Sequence, residues 1–191
     1  MKDRTHTLTI RNMVCDRCKA AVTRVLQEQG LPVERVELGE VELDHEPSTD
    51  ELDRLQAALQ QEGFELVLDH DVQVITKVKA EVVRRVHHEA EGRLDLAALV
   101  RDTVHRELSS VSKLFSEGEG MTLEHFFLLQ RLERVKELIR YGELTFSEIA
   151  FATGFSSAAH LSAQFKQLTG MTPTAFRDMA HPPRKPLDQV R

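Results

Sequence analysis

The two cysteines of the chain, Cys15 and Cys18, lie three residues apart in the segment NMVCDRC, residues 12–18. Two thiols at this spacing bind a soft metal ion, form a redox pair, or pack as small apolar side chains. They are too few for the four-coordinate shell that Zn(II) prefers, but they suit Cu(I). We therefore expect Cu(I), with Zn(II) or another soft metal as the alternative and a third ligand from a partner molecule or another subunit.

The position of the pair along the chain predicts how its thiols ionise. Residues 5–11 alternate in the period of a half-buried strand, and residues 16–29 carry an apolar stripe at helical spacing. The cysteines therefore fall where a strand ends and a helix begins. Free backbone N–H groups and the helix dipole favour a thiolate there, so both thiols are predicted to have lowered pKa values.

The elements that follow predict the fold of this first segment. Residues 33–44 form two short alternating runs, which is a hairpin signal, and Ser48 with Glu51 has the spacing of a capping box before a second helix. The run FELVL then predicts a fourth strand. The order strand, helix, strand, strand, helix, strand is that of a ferredoxin-like βαββαβ domain.

Residues 4–69 resemble a heavy-metal-associated domain of the copper-chaperone type. The resemblance rests on Met13, Cys15 and Cys18 and on the later Gly-Phe pair, and it implies that both cysteines bind the metal while the methionine packs under the loop. Asn12 departs from the usual glycine. Val14 replaces the acidic residue found in some Zn(II)-binding relatives, which favours Cu(I).

Two other interpretations of the cysteines stay open beside metal binding. A thioredoxin-like redox pair needs a cis-proline beside it, and the nearby Pro32 and Pro47 lie in turn-like settings. Inert packing is the third interpretation. No spacing typical of a catalytic triad or a phosphate loop stands out in the chain, so we expect no enzyme.

A connecting helix is predicted over residues 71–91, where apolar residues recur in steps of three and four. The apolar stripe fits three arrangements: packing on the domain before it, packing on the domain after it, or pairing with a second subunit in a homodimer. His87 and His88 would point about 100 degrees apart on a helix and would not share one metal. We interpret them as solvated or half-buried histidines.

From residue 94 onward the sequence predicts a series of capped helices. The predicted caps are Asp95, Ser109, Thr122, Thr145, Ser156 and Thr172. Two units share one plan, and both end in Gly-Met-Thr, which indicates a duplicated helix-turn-helix. The helix that starts at Thr122 is about 19 residues and roughly 28 Å long, close to the roughly 34 Å between successive major-groove faces of DNA.

The segment EIAFATGFSSAAHLSAQFKQLTGMTPTAFR resembles the C-terminal signature of AraC-type transcription regulators, and the likeness extends over residues 94–179. It implies that the short second helix of each unit enters a major groove of double-stranded DNA. The base-facing candidates are Ser109, Ser112 and Lys113 in the first unit and Ala158, Ala159, His160 and Ala163 in the second. Backbone N–H groups, Ser157, Lys166 and Arg177 would contact phosphates.

Neither of these second helices contains arginine, the residue that most often reads guanine. We therefore expect weak DNA binding by one copy, with dimerisation or closely spaced sites raising the affinity. The net charge of −6 is unevenly distributed. Residues 1–70 carry 8 basic and 15 acidic side chains, whereas residues 94–191 carry 12 of each, so the two halves are expected to have different partners.

The sequence as a whole predicts an α+β protein with four parts. They are a metal-binding domain (1–70), a connecting helix (71–93), a double helix-turn-helix domain (94–180) and a tail (181–191). No apolar run is long enough to span a bilayer and no secretory signal is present, so we expect a cytoplasmic location without a membrane partner. The predicted function is DNA-binding regulation that responds to a soft metal, and the alternative is a metallochaperone or metal buffer whose helical half binds a protein.

Overall fold

The computed structural model describes residues 6–89, 94–179 and 187. A small antiparallel sheet with two helices comes first, and every later element in the described residues is a helix. The first group is β1 (His6–Arg11), α1 (Asp16–Glu28), β2 (Val33–Glu37), β3 (Glu40–Leu43), α2 (Thr49–Gln61) and β4 (Glu65–Val67). The second is α3 (His70–His87), α4 (Leu96–Val104), α5 (Leu108–Glu119), α6 (Leu123–Tyr141), α7 (Phe146–Ala152), α8 (Ala158–Thr169) and α9 (Pro173–Arg177).

The sheet has the strand order β2-β3-β1-β4, and each neighbouring pair is antiparallel. Leu8 lies opposite Val41, and Ile10 lies opposite Leu66, so the predicted apolar face of β1 is continued by both neighbours. Helices α1 and α2 contribute to the same hydrophobic core, which we call the N-terminal core. Its fully buried members include Ile10, Val22, Leu26, Val41, Leu43, Leu55 and Leu59.

Helix α3 packs against the sheet as well as against the later helices. The Nε2 of Gln73 donates to the carbonyl of Val67 at 3.0 Å, and Lys77 forms an ion pair with Glu40 at 3.0 Å. On the other side, α3 contributes Val78 to a second core shared with α4, α5 and α6, which we call the helical core. Helix α3 therefore packs on both the sheet and the later helices, a choice that its apolar pattern left undecided.

The helix starts follow the predicted caps, with two exceptions. Helix α5 begins after Glu107, which makes no side-chain cap bond, so the predicted cap Ser109 lies inside the first turn. Helix α8 begins after Ser157, whose side chain accepts from the His160 N–H, and the predicted cap Ser156 instead contacts the His160 ring. The side chains of Ser156 and Ser157 are equally suited to cap a helix. Ser157 takes the N-cap position, where its backbone is extended.

The duplication predicted from the two Gly-Met-Thr steps is visible in the structure. Gly120 and Gly170 both end a helix in the left-handed conformation. Equivalent positions lie 50 residues apart, as Gly170 does from Gly120, and they have matching roles. The matched pairs are the caps Asp95 and Thr145, the caps Thr122 and Thr172, and the buried residues Val111 and Leu161, Phe115 and Phe165, and Phe126 and Phe176.

Each unit has its own aromatic contact and its own core. The rings of Phe115 and Phe126 lie 5.5 Å apart in the helical core. The rings of Phe165 and Phe176 lie 5.4 Å apart in a third cluster, the C-terminal core, which also contains Val135 of α6. Helix α6 thus begins in one core and ends in the other, and it holds the two units at its opposite ends.

Candidate metal loop and nucleic-acid interface

The two cysteines lie where the sequence predicted, at the start of α1 after β1, with Cys15 just before the helix and Cys18 in its first turn. Cys15 is the N-cap residue of α1, and its carbonyl accepts hydrogen bonds from the backbone N–H groups of Cys18 (3.0 Å) and Lys19 (3.2 Å). The sulfur atoms of Cys15 and Cys18 are 3.4 Å apart, and both side chains are partly buried free thiols. The helix start therefore fixes the two sulfurs facing each other.

The prediction that both thiols have a lowered pKa is wrong for Cys18. Burial raises the pKa of Cys18 because it removes water from the thiolate, and the neighbouring Cys15 sulfur raises it further. Hydrogen bonds from the backbone at Val14 and Cys15 act in the opposite direction but are outweighed. Loss of water around the Cys18 thiol therefore has a larger effect than the backbone hydrogen bonds at the helix start.

Asn12 stands where the sequence resemblance leads one to expect a glycine, and its conformation is unusual for a residue other than glycine. Its backbone is left-handed, with a φ of 72°, which asparagine tolerates better than most residues. Its Nδ2 donates to the carbonyl of Gly63 at 2.9 Å. Met13 is buried in the N-terminal core, as the resemblance implied, and Phe64 is buried in the same core. The departure from glycine at this position is therefore compatible with the loop conformation.

The donor set fits a soft ion of low coordination number. Within the described residues, no group of three or more His, Cys, Asp or Glu side chains is arranged to hold a metal ion. Two thiolates alone match the preference of Cu(I) better than the four ligands of a structural Zn(II) site. Beside the sulfurs lies an open cleft of about 460 Å³, lined in part by Glu62, Phe64 and Leu187, through which a third ligand could approach.

The DNA-facing candidates occupy one side of α5 and α8. The described structure leaves most of them exposed: Ser109, Lys113, Ser157, Ala159, His160, Ala163 and Lys166. Ser112 and Ala158 are partly buried, and the Ser112 hydroxyl donates to Glu124 at 3.3 Å. Lys113 lies 4.0 Å from Glu117, and its side chain remains 80% exposed, so it is available to another molecule.

His160 is held in place by contacts that the sequence did not reveal. Ser156 contacts its Nδ1 at 2.9 Å, and the ring lies edge-on to Phe155 with 5.6 Å between centroids. Phe155 is in turn covered by the guanidinium of Arg131, 3.9 Å from the ring centroid. Arg131 also donates through Nε to the carbonyl of Thr153 at 2.6 Å. Helix α6 thereby fixes the turn before α8, and Nε2 of His160 is the ring nitrogen that a base would meet.

The geometry of this half is that of two short helices, each preceded by a helix and a turn, mounted on one long helix. A family model described as "Helix-turn-helix domain" matches residues 102–179. This part of the chain is therefore similar to helix-turn-helix domains. The match covers α5 to α9 and the end of α4, and so includes both halves of the 50-residue repeat.

Two relatives named as HTH-type transcriptional regulators are similar to part of this chain. An uncharacterized HTH-type transcriptional regulator of Staphylococcus aureus is 39% identical over 69 residues, which cover 36% of this chain and 9% of that protein. The HTH-type transcriptional regulator GlxA of Rhizobium meliloti is 35% identical over 101 residues, which cover 50% of this chain and 29% of that protein. The chain thus spans under a third of the length of either relative.

Solved structures with a similar arrangement include a transcriptional regulator from Chromobacterium violaceum with an AraC-type DNA-binding domain. It is 23% identical, with a TM-score of 0.46, and the match covers 55% of this chain and 95% of that one. The C-terminal domain of AraT, a response regulator from Geobacillus stearothermophilus, has a TM-score of 0.47 at 21% identity, with 55% and 83% coverage. Across residues 6–89 and 94–179, no helix is both long and apolar enough to cross a membrane.

A half-buried histidine joins α3 to α6. The Nε2 of His87 donates to the side-chain oxygen of Gln130 at 3.0 Å. Burial lowers the pKa of His87 to about 4, although the Gln130 contact and Glu137 oppose this shift; Arg134 and His88 add to it. His87 is therefore neutral in the folded protein near pH 7, and it is half-buried, as the sequence suggested.

This shift predicts a loss of stability in mild acid. The unfolded His87 binds a proton below about pH 6.5, whereas the folded one does so only near pH 4, so stability falls as the pH drops through that interval. Between pH 7.5 and pH 5 we expect the free energy of unfolding to fall by about 2 kcal/mol more in the parent than in His87→Gln. Urea titrations of both proteins at each pH measure the difference, and equal slopes against pH would contradict it.

Proposed function

We propose that the chain is a DNA-binding transcription regulator and that α5 and α8 enter successive major grooves of double-stranded DNA. The observation that carries the proposal is the repeat itself. Its two short helices each end at a left-handed glycine, have exposed outer faces and lie at the two ends of α6. With about 1.5 Å of rise per residue, this 19-residue helix is roughly 28 Å long. That length suits two helices placed about one turn of DNA apart.

The chemistry of the exposed faces suggests how DNA is read. Lys113 and His160 are hydrogen-bond donors suited to base edges, whereas Ala159 and Ala163 offer only methyl groups or close approach. The free N–H groups at the start of α8, beside Ser157, suit a phosphate. Because few cationic side chains lie on these faces, one copy is expected to bind weakly, and we propose that two copies on adjacent sites raise the affinity.

A selection of DNA fragments from a random pool, followed by titration at several salt concentrations, tests this proposal. Affinity for the selected fragment should fall steeply with salt. Lys113→Ala and His160→Ala should each weaken it by roughly tenfold, equivalent to about 1–3 kcal/mol per contact. His45→Ala, an exposed histidine after β3, is the matched control and should leave affinity unchanged.

The outcome also separates the proposal from the metallochaperone alternative. If purified protein shows no salt-dependent affinity for any fragment but still binds metal, the DNA-binding proposal fails. A metal buffer whose helical half binds a protein partner then becomes the better interpretation. The relatives described above are named as regulators, which supports the DNA-binding proposal over that alternative.

We further propose that Cys15 and Cys18 bind a soft metal ion, most suitably Cu(I), and that its binding changes DNA affinity. Support comes from the facing sulfurs at 3.4 Å and from the sheet order, which fits a ferredoxin-like domain of the heavy-metal-associated kind. The bound ion would supply a positive charge and a fixed sulfur-to-sulfur linkage. The chain itself would hold the thiolates, keep the loop packed on Met13, and leave one side open to a third ligand.

Metal titration of the parent and of Cys15→Ser, Cys18→Ser tests this second proposal. The parent should take up one Cu(I) per chain against a competing chelator, and the double variant should lose that affinity. Without metal, both should bind the selected DNA equally, since the cysteines lie outside the DNA-facing helices. With metal, only the parent should change its DNA affinity. If the parent's DNA-binding curves with and without Cu(I) coincide, the metal does not regulate DNA binding.

A further inference from the structure

Consecutive residues of the cysteine loop enter different hydrophobic cores. Met13 is buried in the N-terminal core with Ile10 and Leu26. Val14, the next residue, packs against the helical core that contains Phe115 and Phe126 of the helix-turn-helix half. The loop that carries the cysteines therefore packs on both cores. It cannot shift without disturbing the packing of at least one of them.

A hydrogen bond also holds the cysteine loop against α3. The Nε2 of His88, at the C-cap of α3, donates to the carbonyl of Val14 at 3.2 Å. At the other end of the loop, Asn12 is tied to Gly63 and therefore to the N-terminal domain. The short backbone segment from Asn12 to Val14, just before Cys15, is thus held at one end by Gly63 and at the other end by α3.

The spacing of the sulfurs indicates that metal binding displaces this loop. A metal ion lies about 2.3 Å from each sulfur that binds it. Two such sulfurs are about 3.8 Å apart when the metal is tetrahedral and about 4.6 Å apart when sulfur, metal and sulfur are collinear. In this structure they are 3.4 Å apart. Cys18 lies inside α1, whereas Cys15 lies at its N-cap, next to the loop. Opening the pair therefore moves Cys15 more readily than Cys18, and Val14 is its covalent neighbour.

We infer that Val14, assisted by its hydrogen bond from His88, passes metal occupancy at the cysteines to the helix-turn-helix domain. The inference rests on the proposed metal response and names its route. When Cys15 moves, the Val14 side chain shifts in the helical core, and the His88 bond carries the displacement to α3. Helix α3 supplies Val78, Val82 and Val86 to that same core, so the position of α5 on α6 changes with it.

The test compares the metal effect on DNA affinity in the parent, Val14→Ala and His88→Ala. Each protein is titrated with the selected DNA fragment at zero and at saturating Cu(I), with free Cu(I) set by a competing chelator. In the parent the ratio of the two affinities should lie in the usual range for coupled sites, about 5- to 150-fold. In Val14→Ala it should fall to within about twofold of unity, and in His88→Ala to an intermediate value.

Two controls keep a structural defect from imitating this result. Val36→Ala removes the same two methyl groups from a partly buried valine that packs on the N-terminal core, and it should retain the parent ratio. Hydrogen exchange of α3 should change on adding Cu(I) in the parent and in Val36→Ala but not in Val14→Ala. Cu(I) affinity without DNA should stay within about threefold in all variants, which shows that the site itself is intact.

The outcomes distinguish the route from the function. If the parent responds to Cu(I), and both Val14→Ala and His88→Ala respond as strongly, the route is wrong while the proposed metal response stands. If the parent binds Cu(I) without any change in DNA affinity, the metal response fails, and this inference fails with it. Because linkage is reciprocal, DNA should also change the Cu(I) affinity of the parent by the same factor.

Discussion

Phe165→Ala is expected to lower the free energy of unfolding of the C-terminal unit by about 3–5 kcal/mol. The ring is fully buried, and it packs edge-on against Phe176 at 5.4 Å and joins α8 to the C-terminal core. Truncation removes this contact and leaves a cavity between α8 and α9. Urea denaturation followed by circular dichroism, with hydrogen exchange at α8, measures the effect.

Phe151 provides a matched control for this prediction. It lies on α7 of the same unit, yet its side chain is 76% exposed. Phe151→Ala therefore removes the same atoms as Phe165→Ala, but from the protein surface, and it should change the free energy of unfolding by about 0.5 kcal/mol or less. Phe115→Ala, at the equivalent buried position of the first unit, should resemble Phe165→Ala in cost. Equal stabilities of Phe165→Ala and Phe151→Ala would show that the second core does not support α8.

The parts of this fold that the sequence predicted depend on local interactions. The capping boxes at Ser48 and Thr145 formed as expected because each needs only a serine or threonine and a glutamate three residues later. The alternation of Leu8 and Ile10 identified the inner face of β1 for a similar reason. Such signals are complete within a few residues, so no knowledge of the tertiary structure is required.

The features that sequence reasoning missed are set by packing between distant segments. Thr9 is buried although it alternates with the apolar residues of β1, because α3 covers the second face of the sheet. The pKa of Cys18 is raised because desolvation by the folded surroundings outweighs the helix start. The packing of Val14 against the helical core, whose first member Val74 lies 60 residues further along the chain, has no local signal in the sequence.

The candidate DNA interface shows the same division. The positions of Lys113 and His160 on exposed helix faces followed from spacing and from the resemblance to AraC-type regulators. The support of His160 by Ser156, Phe155 and Arg131 did not, since Arg131 lies 29 residues before His160 on another helix. Periodicity indicates which side of a helix is exposed, whereas the orientation of one ring depends on neighbours from elsewhere in the chain.

Gly39→Ala is expected to destabilise the docking of α3 on the sheet by about 2–4 kcal/mol. Gly39 has a φ of +81°, and its carbonyl accepts from the Ile10 N–H at 3.0 Å, so the turn cannot easily move. An added Cβ would lie 2.9 Å from the Cβ of Ala80, too close for two packed carbons. The substitution should lower the urea midpoint and increase hydrogen exchange around Thr76 and Ala80.

Two further variants separate backbone strain from the steric clash. Gly30 has a similar φ of +72°, but an added Cβ there meets no atom within 4 Å, so Gly30→Ala should cost only the strain, about 1 kcal/mol. Adding Ala80→Gly to Gly39→Ala should recover part of the loss, because the two Cβ atoms no longer collide. If the double variant is destabilised by the full sum of the single effects, the close approach of α3 to this turn is not what Gly39 provides.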